Sequence, residues 1–276
     1  NIITEPWPDI ILSAGRKCAA IALHIKYLMQ KNKSLKVPYI CQIMWPGFPY
    51  KNFDLIAAPE HDNKSEAKHK NLLTTIGTPH KLTDELLQKE HGKFAEQFSC
   101  LPDFKISIII GGNCKGINFT EQHANEMVEK ISQLARYFNA GLIISTSRRT
   151  PKEFEEILFN KLAEFPHYFY SFNDNVNSNV SNPYIAMLAH ANLIIVTGDS
   201  MSMCSEVCFA GKPVFIYAPT DISNAKYKRL HQKLYDLNYA HNLMKFDSIE
   251  NISLDENKKS NKLDAAADIV AKLLII

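Results

Sequence analysis

A glycine-serine turn with a glutamate shortly after it is the part of this sequence best suited to hold a phosphorylated ligand. The turn consists of Gly198, Asp199, Ser200, Met201 and Ser202. Glycine permits close backbone approach, and serine caps a helix whose first N–H groups carry partial positive charge and suit a diphosphate. Glu206, one helical turn beyond Ser202, can accept hydrogen bonds from ribose hydroxyls. The alternative is a well-capped helix without a ligand.

A second candidate for binding phosphate is a pair of arginines next to a hydroxyl. Ser147, Arg148 and Arg149 follow an apolar run at 141–145. Hydroxyls beside a planar guanidinium fork suit the oxygens of a phosphate group. The alternative interpretation is a pair of solvated charges on a loop.

Two weaker candidates complete the predicted binding residues of the second half. Gly111, Gly112 and Asn113 follow another apolar run, and the glycines would let a ligand approach the backbone closely. Asn182 and Tyr184 stand at the start of a predicted helix. Asn182 is expected to cap this helix; alternatively, the pair contacts a base or a sugar.

The first half of the chain offers candidates for acid–base chemistry. Glu60, His61 and Asp62 follow a predicted strand, and a carboxylate or imidazole there could deprotonate a hydroxyl. We rank Glu60 first and His61 second, because consecutive residues cannot all point at one spot. An ordinary loop is the alternative. Gly15 and Arg16 follow the first predicted strand and are further candidates for substrate binding.

The elements that must position these residues alternate along the chain. Apolar runs of about five residues are separated by helical patterns, which predicts an α/β fold with parallel sheets covered on both faces. We predict two Rossmann-like domains at 1–102 and 103–250, followed by a linker and a terminal helix at 251–276. Carboxyl ends of strands that face a central cleft would gather the polar clusters there.

Composition and missing motifs exclude several classes of function. A net charge of +2 over 276 residues argues against nucleic acid as a partner. No apolar stretch approaches the roughly 18 residues that span a bilayer, and the six cysteines form no CxxC pair. The sequence contains no GxGxxG, no GxxxxGK[ST] and no GxSxG. Asp-x-Asp is also absent, so we expect a site without metal or organic cofactor.

Taken together, the clusters resemble a known family. The chain looks like a bacterial member of the mitochondrial-fission ("elongated mitochondria") family of glycosyltransferase-like proteins, whose bacterial members are often labelled nucleoside-diphosphate-sugar epimerases. The resemblance covers residues 7 to 240. It is carried by Ser13-Ala-Gly-Arg-Lys17, Pro59-Glu-His-Asp62, Gly77-Thr-Pro-His80, Ser145-Thr-Ser-Arg-Arg-Thr-Pro151, Asn182-Pro-Tyr184, Thr197-Gly-Asp-Ser-Met-Ser-Met203 with Ser205-Glu206, and Gly211-Lys-Pro213.

The resemblance implies a GT-B-like architecture. It further implies that the second domain binds the sugar nucleotide, that the first binds the acceptor, and that the terminal helix packs back on the first domain. Two departures from the family pattern are visible. Relatives usually begin with one more strand and helix before the equivalent of Trp7, so we expect the first domain to lack them. Lys17 stands where a second arginine is common, which keeps the charge without the bidentate geometry.

The leading hypothesis is therefore a metal-independent, inverting glycosyltransferase. Its donor would be a nucleoside-diphosphate sugar, and its acceptor a hydroxyl of envelope glycan or of a lipid-linked core. We expect a cytoplasmic protein with at most peripheral contact to the inner membrane. Two alternatives stay open: a nucleoside-diphosphate-sugar 2-epimerase, which needs no acceptor, and a non-catalytic adaptor that retains a nucleotide pocket.

Overall fold

The computed structural model describes residues 7–32, 36–47, 49–62, 69–114, 116–175, 180–222, 224–245 and 262–275. The chain divides into two compact units: unit 1 is Asn1–Thr78 with Ala265–Ile276, and unit 2 is Pro79–Asp264. The strands are β1 (Ile10–Ala14), β2 (Tyr39–Ile43), β3 (Leu55–Pro59), β4 (Leu72–Thr75), β5 (Lys105–Ile109), β6 (Gly141–Ser145), β7 (His167–Tyr170), β8 (Leu193–Thr197), β9 (Val214–Tyr217) and β10 (His241–Asn242). The helices are α1 (Gly15–Lys31), α2 (Asp84–Ser99), α3 (Glu121–Phe138), α4 (Lys152–Leu162), α5 (Phe172–Asn175), α6 (Tyr184–His190), α7 (Met201–Phe209), α8 (Ala225–Asp236) and α9 (Ala265–Leu273).

Unit 1 is built on a parallel sheet with the strand order β1-β2-β3-β4. Successive side chains of a strand point to opposite faces of the sheet. Ile40 and Ile56 accordingly pack with Ala22 of α1 on one face, whereas Cys41 packs with Ile269 of α9 on the other. Burial on both faces explains why β2 and β3 read as apolar runs without alternation.

Unit 2 is built on a parallel sheet with the order β10-β9-β8-β5-β6-β7. Its central strands are fully buried, and their side chains pack with α3 and α4 in one large core. A reciprocal pair of hydrogen bonds closes the start of α3: the Thr120 hydroxyl accepts from the His123 amide, and the His123 ring accepts from the Thr120 amide. This reciprocal cap fixes the first turn of the helix.

The compact units divide between Thr78 and Pro79, whereas the sequence predicts a boundary between 102 and 103. Helix α2 accounts for this difference, because its residues Phe98 and His91 pack on His190 of α6 in unit 2. Helix α9 belongs to unit 1. The predicted linker lies outside the described residues from 251 to 261.

Candidate functional site

The sheet of unit 2 has a topological switch point between β5 and β8. From β5 the chain continues to β6 and β7 on one side, and from β8 it continues to β9 and β10 on the other. Open α/β sheets bind ligands outside the carboxyl ends of the strands at such a point. Gly111 and Gly112 follow β5, and Gly198 follows β8. Two of the glycine turns singled out in the sequence therefore flank the switch point.

The carboxylate of Asp199 connects the loops that follow β5, β6 and β8. Its Oδ1 accepts from the Thr197 hydroxyl at 2.7 Å, and its Oδ2 accepts from the Gly112 amide at 2.9 Å and from Nη2 of Arg149 at 2.8 Å. The Thr197 hydroxyl in turn accepts from the Gly111 amide at 2.7 Å. One side chain thus holds three loops in a single network.

This carboxylate lies in the interior of unit 2. The Asp199 side chain has 0% of its surface exposed. Burial raises the pKa of Asp199 above its ordinary value of 3.8, while hydrogen bonds from Thr197 and Gly112 and the charge of Arg149 act in the opposite direction. Each of these neighbours donates a hydrogen bond, which is the arrangement that an ionised carboxylate requires.

The glycines of the site make room for protein atoms. A Cβ on Gly111 would lie 2.1 Å from Oδ1 of Asp199, and one on Gly112 would lie 2.1 Å from the carbonyl carbon of Arg149. A Cβ on Gly198 would lie 2.5 Å from Cε1 of the buried His231. These contacts explain why glycine stands at each position, and close approach of a ligand to the same backbone stays a prediction.

The two predicted arginines differ in their surroundings. Arg148 is exposed, whereas Arg149 reaches Asp199 and keeps 34% of its side chain exposed. The loop that carries them is fixed by the Ser147 hydroxyl, which donates to the Gly111 carbonyl at 2.7 Å. Asn113 fixes the same loop, because its backbone amide donates to the Arg149 carbonyl at 2.9 Å.

The start of α7 supports the interpretation of the glycine-serine turn as a capped helix. The Ser200 hydroxyl accepts from the Met203 amide at 3.3 Å, and the Ser200 carbonyl accepts from the Cys204 amide at 3.0 Å. The amides of Met201 and Ser202 precede these in the first helical turn, where an α-helix supplies no backbone acceptor. Ser202 is exposed at this end.

Tyr184 and Glu206 form a pair. The Tyr184 hydroxyl donates to Oε2 of Glu206 at 2.7 Å. Pro183, not the predicted Asn182, occupies the N-cap position of α6, and Oδ1 of Asn182 accepts from the Tyr184 amide at 2.9 Å. Burial is the main reason why the pKa of Tyr184 lies well above its ordinary value, and the adjacent Glu206 charge adds to the rise. The tyrosine is therefore a neutral donor that orients one oxygen of the Glu206 carboxylate.

The turn after β1 in unit 1 depends on a residue that the sequence analysis missed. Gln42 is fully buried on β2. Its Oε1 accepts from the Ser13 hydroxyl at 2.5 Å, and its Nε2 donates to the carbonyls of Gly15 at 3.3 Å and Ile43 at 2.8 Å. Gly15 adopts a φ of +76°, and Arg16 beside it is exposed. The signal in the sequence that could have identified this residue is a polar side chain within the apolar run of β2.

The acid–base candidates of unit 1 occupy a short 3-10 turn, Glu60–Asp62, directly after β3. Glu60 is exposed and Asp62 is half-buried, whereas His61 is buried with 4% of its surface exposed. Their side chains thus meet different environments, as expected for consecutive residues. Exposure leaves Glu60 the more accessible of the two predicted bases.

The described part of the chain offers neither a cluster suited to a metal ion nor a helix suited to span a membrane. Among the described residues, no group of three or more His, Cys, Asp or Glu is placed to hold a metal ion. Within the ranges that the structure covers, no helix has both the length and the apolar character needed to cross a membrane.

Comparison with known proteins decides the family. Residues 1–274 match the sequence profile of a family described as "Mitochondrial fission ELM1". The chain belongs to the mitochondrial fission ELM1 family. The resemblance predicted from the Ser-Thr-Ser-Arg-Arg-Thr-Pro and Gly-Asp-Ser-Met-Ser-Met strings is thereby confirmed.

Two relatives show how much of an ELM1-type protein the chain represents. "Uncharacterized protein RP120" of Rickettsia prowazekii (strain Madrid E) is 30% identical over 268 residues, which cover 87% of this chain and 73% of the relative. "Mitochondrial fission protein ELM1" of Arabidopsis thaliana is 24% identical over 233 residues, which cover 76% of this chain and 51% of the relative. The chain therefore matches about half the length of the plant ELM1 protein.

A solved structure shows the fold of this ELM1 family member. The UDP-GlcNAc 2-epimerase from Methanocaldococcus jannaschii matches 97% of this chain with a TM-score of 0.61 and 14% sequence identity, over 77% of the epimerase chain. Identity this low carries the fold alone. The predicted α/β, GT-B-like class with two parallel sheets is confirmed.

Proposed function

We propose that this chain transfers a sugar from a nucleoside-diphosphate sugar to a hydroxyl acceptor, without a metal ion and with inversion at the transferred carbon. The observation that carries the proposal is the switch point of unit 2. Helix α7 begins there with its first turn capped by Ser200, Arg149 is tied to the same loops through Asp199, and Glu206 lies one turn further. A nucleoside diphosphate offers the matching groups, namely phosphate oxygens and ribose hydroxyls.

The diphosphate is proposed to lie at the start of α7. The first amides of the helix and the exposed Ser202 hydroxyl donate to phosphate oxygens, and the helix dipole favours negative charge at this end. Arg149, or the exposed Arg148, neutralises the charge that develops as the bond between sugar and diphosphate breaks. The sequence contains no Asp-x-Asp, so these groups do the work that a metal ion does in many sugar transferases.

The ribose is proposed to bind Glu206. Tyr184 occupies Oε2 of this carboxylate, so Oε1 is the oxygen that we assign to the ribose hydroxyls. The helical spacing supports the assignment, because Glu206 lies one turn after Ser202 on the same side of α7. Phosphate and ribose of one nucleotide can therefore contact one helix.

The acceptor is proposed to bind unit 1. There Glu60, or alternatively His61, removes the proton of the acceptor hydroxyl, and the oxygen attacks the anomeric carbon while the nucleoside diphosphate leaves with the electron pair. A single displacement of this kind inverts the anomeric carbon. Gly15 and Arg16 are proposed to contact the acceptor, which by family analogy is a hydroxyl of an envelope glycan or of a lipid-linked sugar.

The first prediction tests the donor site. Titration calorimetry with UDP-, GDP-, ADP- and CMP-sugars is expected to find binding of at least one nucleotide sugar by the wild-type chain. Glu206→Gln removes the charge that accepts from ribose and should weaken that binding about tenfold, equivalent to ~1.4 kcal/mol. Glu96→Gln, an exposed change on α2, is the matched control and should bind like wild type. Failure of wild type to bind any of these donors would refute the proposal.

The second candidate reaction is 2-epimerisation of the same donor. It is favoured by one observation, the likeness of the fold to the UDP-GlcNAc 2-epimerase. Incubation with donor alone separates the two reactions, because an epimerase forms a new sugar nucleotide without an acceptor, whereas a transferase leaves the donor unchanged. Anion-exchange chromatography of the reaction mixture distinguishes these outcomes.

A further inference from the structure

We propose that Asp199 is a positioning residue that acts through Arg149 and does not itself touch the nucleotide. The proposal rests on the proposed function of the same site. It assigns to the carboxylate the task of holding one edge of the guanidinium, so that the remaining edges face the diphosphate.

Asp199 is inaccessible to a ligand. Its side chain is fully buried, and both oxygens accept hydrogen bonds from Thr197, Gly112 and Arg149. Gly111 lies so close that a Cβ added to it would be 2.1 and 2.2 Å from the two carboxylate oxygens. A ligand atom cannot reach these oxygens without displacing a loop.

Arg149 has more N–H donors than its contact with Asp199 uses. A guanidinium has five N–H donors in one plane, and the bond to Asp199 is made by Nη2. The side chain remains 34% exposed, and we assign the N–H groups that do not face Asp199 to the ligand. A guanidinium held at one edge loses less rotational freedom on binding a phosphate than a free one, so its contact is stronger.

Asp199 also places the Arg149 guanidinium relative to the start of α7. The residue immediately precedes Ser200, the cap of that helix, and its carboxylate also fixes the Gly111–Gly112 loop. The carboxylate therefore sets the distance between the arginine and the helix amides. A diphosphate that bridges the two needs this distance to be constant.

The decisive variant is Asp199→Asn, which keeps the shape and removes the charge. Binding of UDP should weaken about tenfold in this variant. Combining it with Arg149→Gln should add little beyond the single changes, because both act on one contact. Asp103→Asn, an exposed change in unit 2, is the control and should bind like wild type. Wild-type affinity in Asp199→Asn, or losses that simply add in the double variant, would overturn the proposal.

A second measurement does not depend on nucleotide binding. Nitrogen NMR of the arginine side chains should show slow rotation of the Arg149 guanidinium in wild type and faster rotation in Asp199→Asn, with the signal assigned by its loss in Arg149→Lys. If wild type binds no nucleotide, the proposed function fails, and the rotation rates still decide the positioning role. Equal rates in wild type and Asp199→Asn contradict it. If Asp199→Asn does not fold, Arg149→Lys should fold and bind UDP weakly, whereas undiminished UDP binding by Arg149→Lys would refute the proposal.

Discussion

The two units fix the loops at the ends of their strands by different means. In unit 1 a neutral amide, Gln42, holds the turn between β1 and α1 through the Ser13 hydroxyl and the Gly15 carbonyl. In unit 2 a buried carboxylate, Asp199, holds three loops together with Arg149. The strand order also differs, since the described sheet of unit 1 runs in sequence order whereas that of unit 2 reverses at β5 and β8.

This difference shows where the chain tolerates change. A buried neutral amide that loses its partners leaves polar groups unsatisfied, whereas a buried charge that loses its partner leaves a far larger desolvation penalty. A Cβ added to Gly15 in unit 1 would meet no atom within 4 Å beyond its chain neighbours, so only the φ of +76° disfavours a side chain there. A Cβ added to Gly111 in unit 2 would instead overlap the Asp199 carboxylate. We therefore expect the loops of unit 2 to be the more sensitive.

The largest effect is expected for Gly111→Ala. Its methyl group would overlap the Asp199 carboxylate, so the loop or the carboxylate must move, and the free energy of unfolding should fall by about 3 kcal/mol. Gly92→Ala is the matched control: it lies within α2 with no atom within 4 Å of the added Cβ, and should raise the free energy of unfolding by about 0.5–1 kcal/mol. Urea unfolding measures both. A Gly111→Ala protein as stable as wild type would show that the crowding at the switch point is easily relieved.

An intermediate effect is expected for Gln42→Leu in unit 1. The change leaves the Ser13 hydroxyl without its acceptor and should lower the free energy of unfolding by about 1–3 kcal/mol, the usual penalty for a buried polar group that loses its partner. Gln30→Leu, on an exposed position of α1, should change stability by less than about 0.5 kcal/mol. If Gln42→Leu lowered the free energy of unfolding more than Gly111→Ala does, unit 1 rather than unit 2 would be the more sensitive.

The smallest effect is a dependence on pH that only one of the two networks should show. Because burial raises the pKa of Asp199, protonation of this carboxyl is more favourable in the folded than in the unfolded state. The resulting stability is present below the ordinary carboxyl pKa of 3.8 and is lost as pH rises through the raised pKa. The unfolding free energy of wild type minus that of Asp199→Asn should therefore decrease over this pH range. The difference in unfolding free energy between wild type and Gln42→Leu should stay constant. A difference between wild type and Asp199→Asn that increases with pH would mean that folding lowers the pKa of Asp199.

The sequence was sufficient to predict the fold class because periodicity is a local signal. Apolar runs locate β5, β6 and β8, and Thr120 marks the start of α3, since a strand buried on both faces and a capped helix leave their patterns in consecutive residues. The family strings then connected the glycine-serine turn with a nucleotide site. These inferences required no knowledge of which loops touch.

The roles of individual site residues could not be read from the sequence. Asp199 and Gly112 are separated by 87 positions, and the bond between them exists only because β5 and β8 are neighbours in the sheet. The same holds for the hydrogen bond from the Tyr184 hydroxyl to Glu206, which joins α6 to α7. Gln42 was missed because a polar residue within an apolar run does not reveal its role until its partners, Ser13 and Gly15, are known.

The return of α9 to unit 1 also has a consequence for how the chain folds during synthesis. Unit 2 occupies one continuous stretch, Pro79–Asp264, and can fold once that stretch has left the ribosome. Unit 1 buries Cys41 and Leu55 against Ile269, so this face stays uncovered until α9 has been made. Synthesis of unit 1 therefore starts before that of unit 2 and is completed after it.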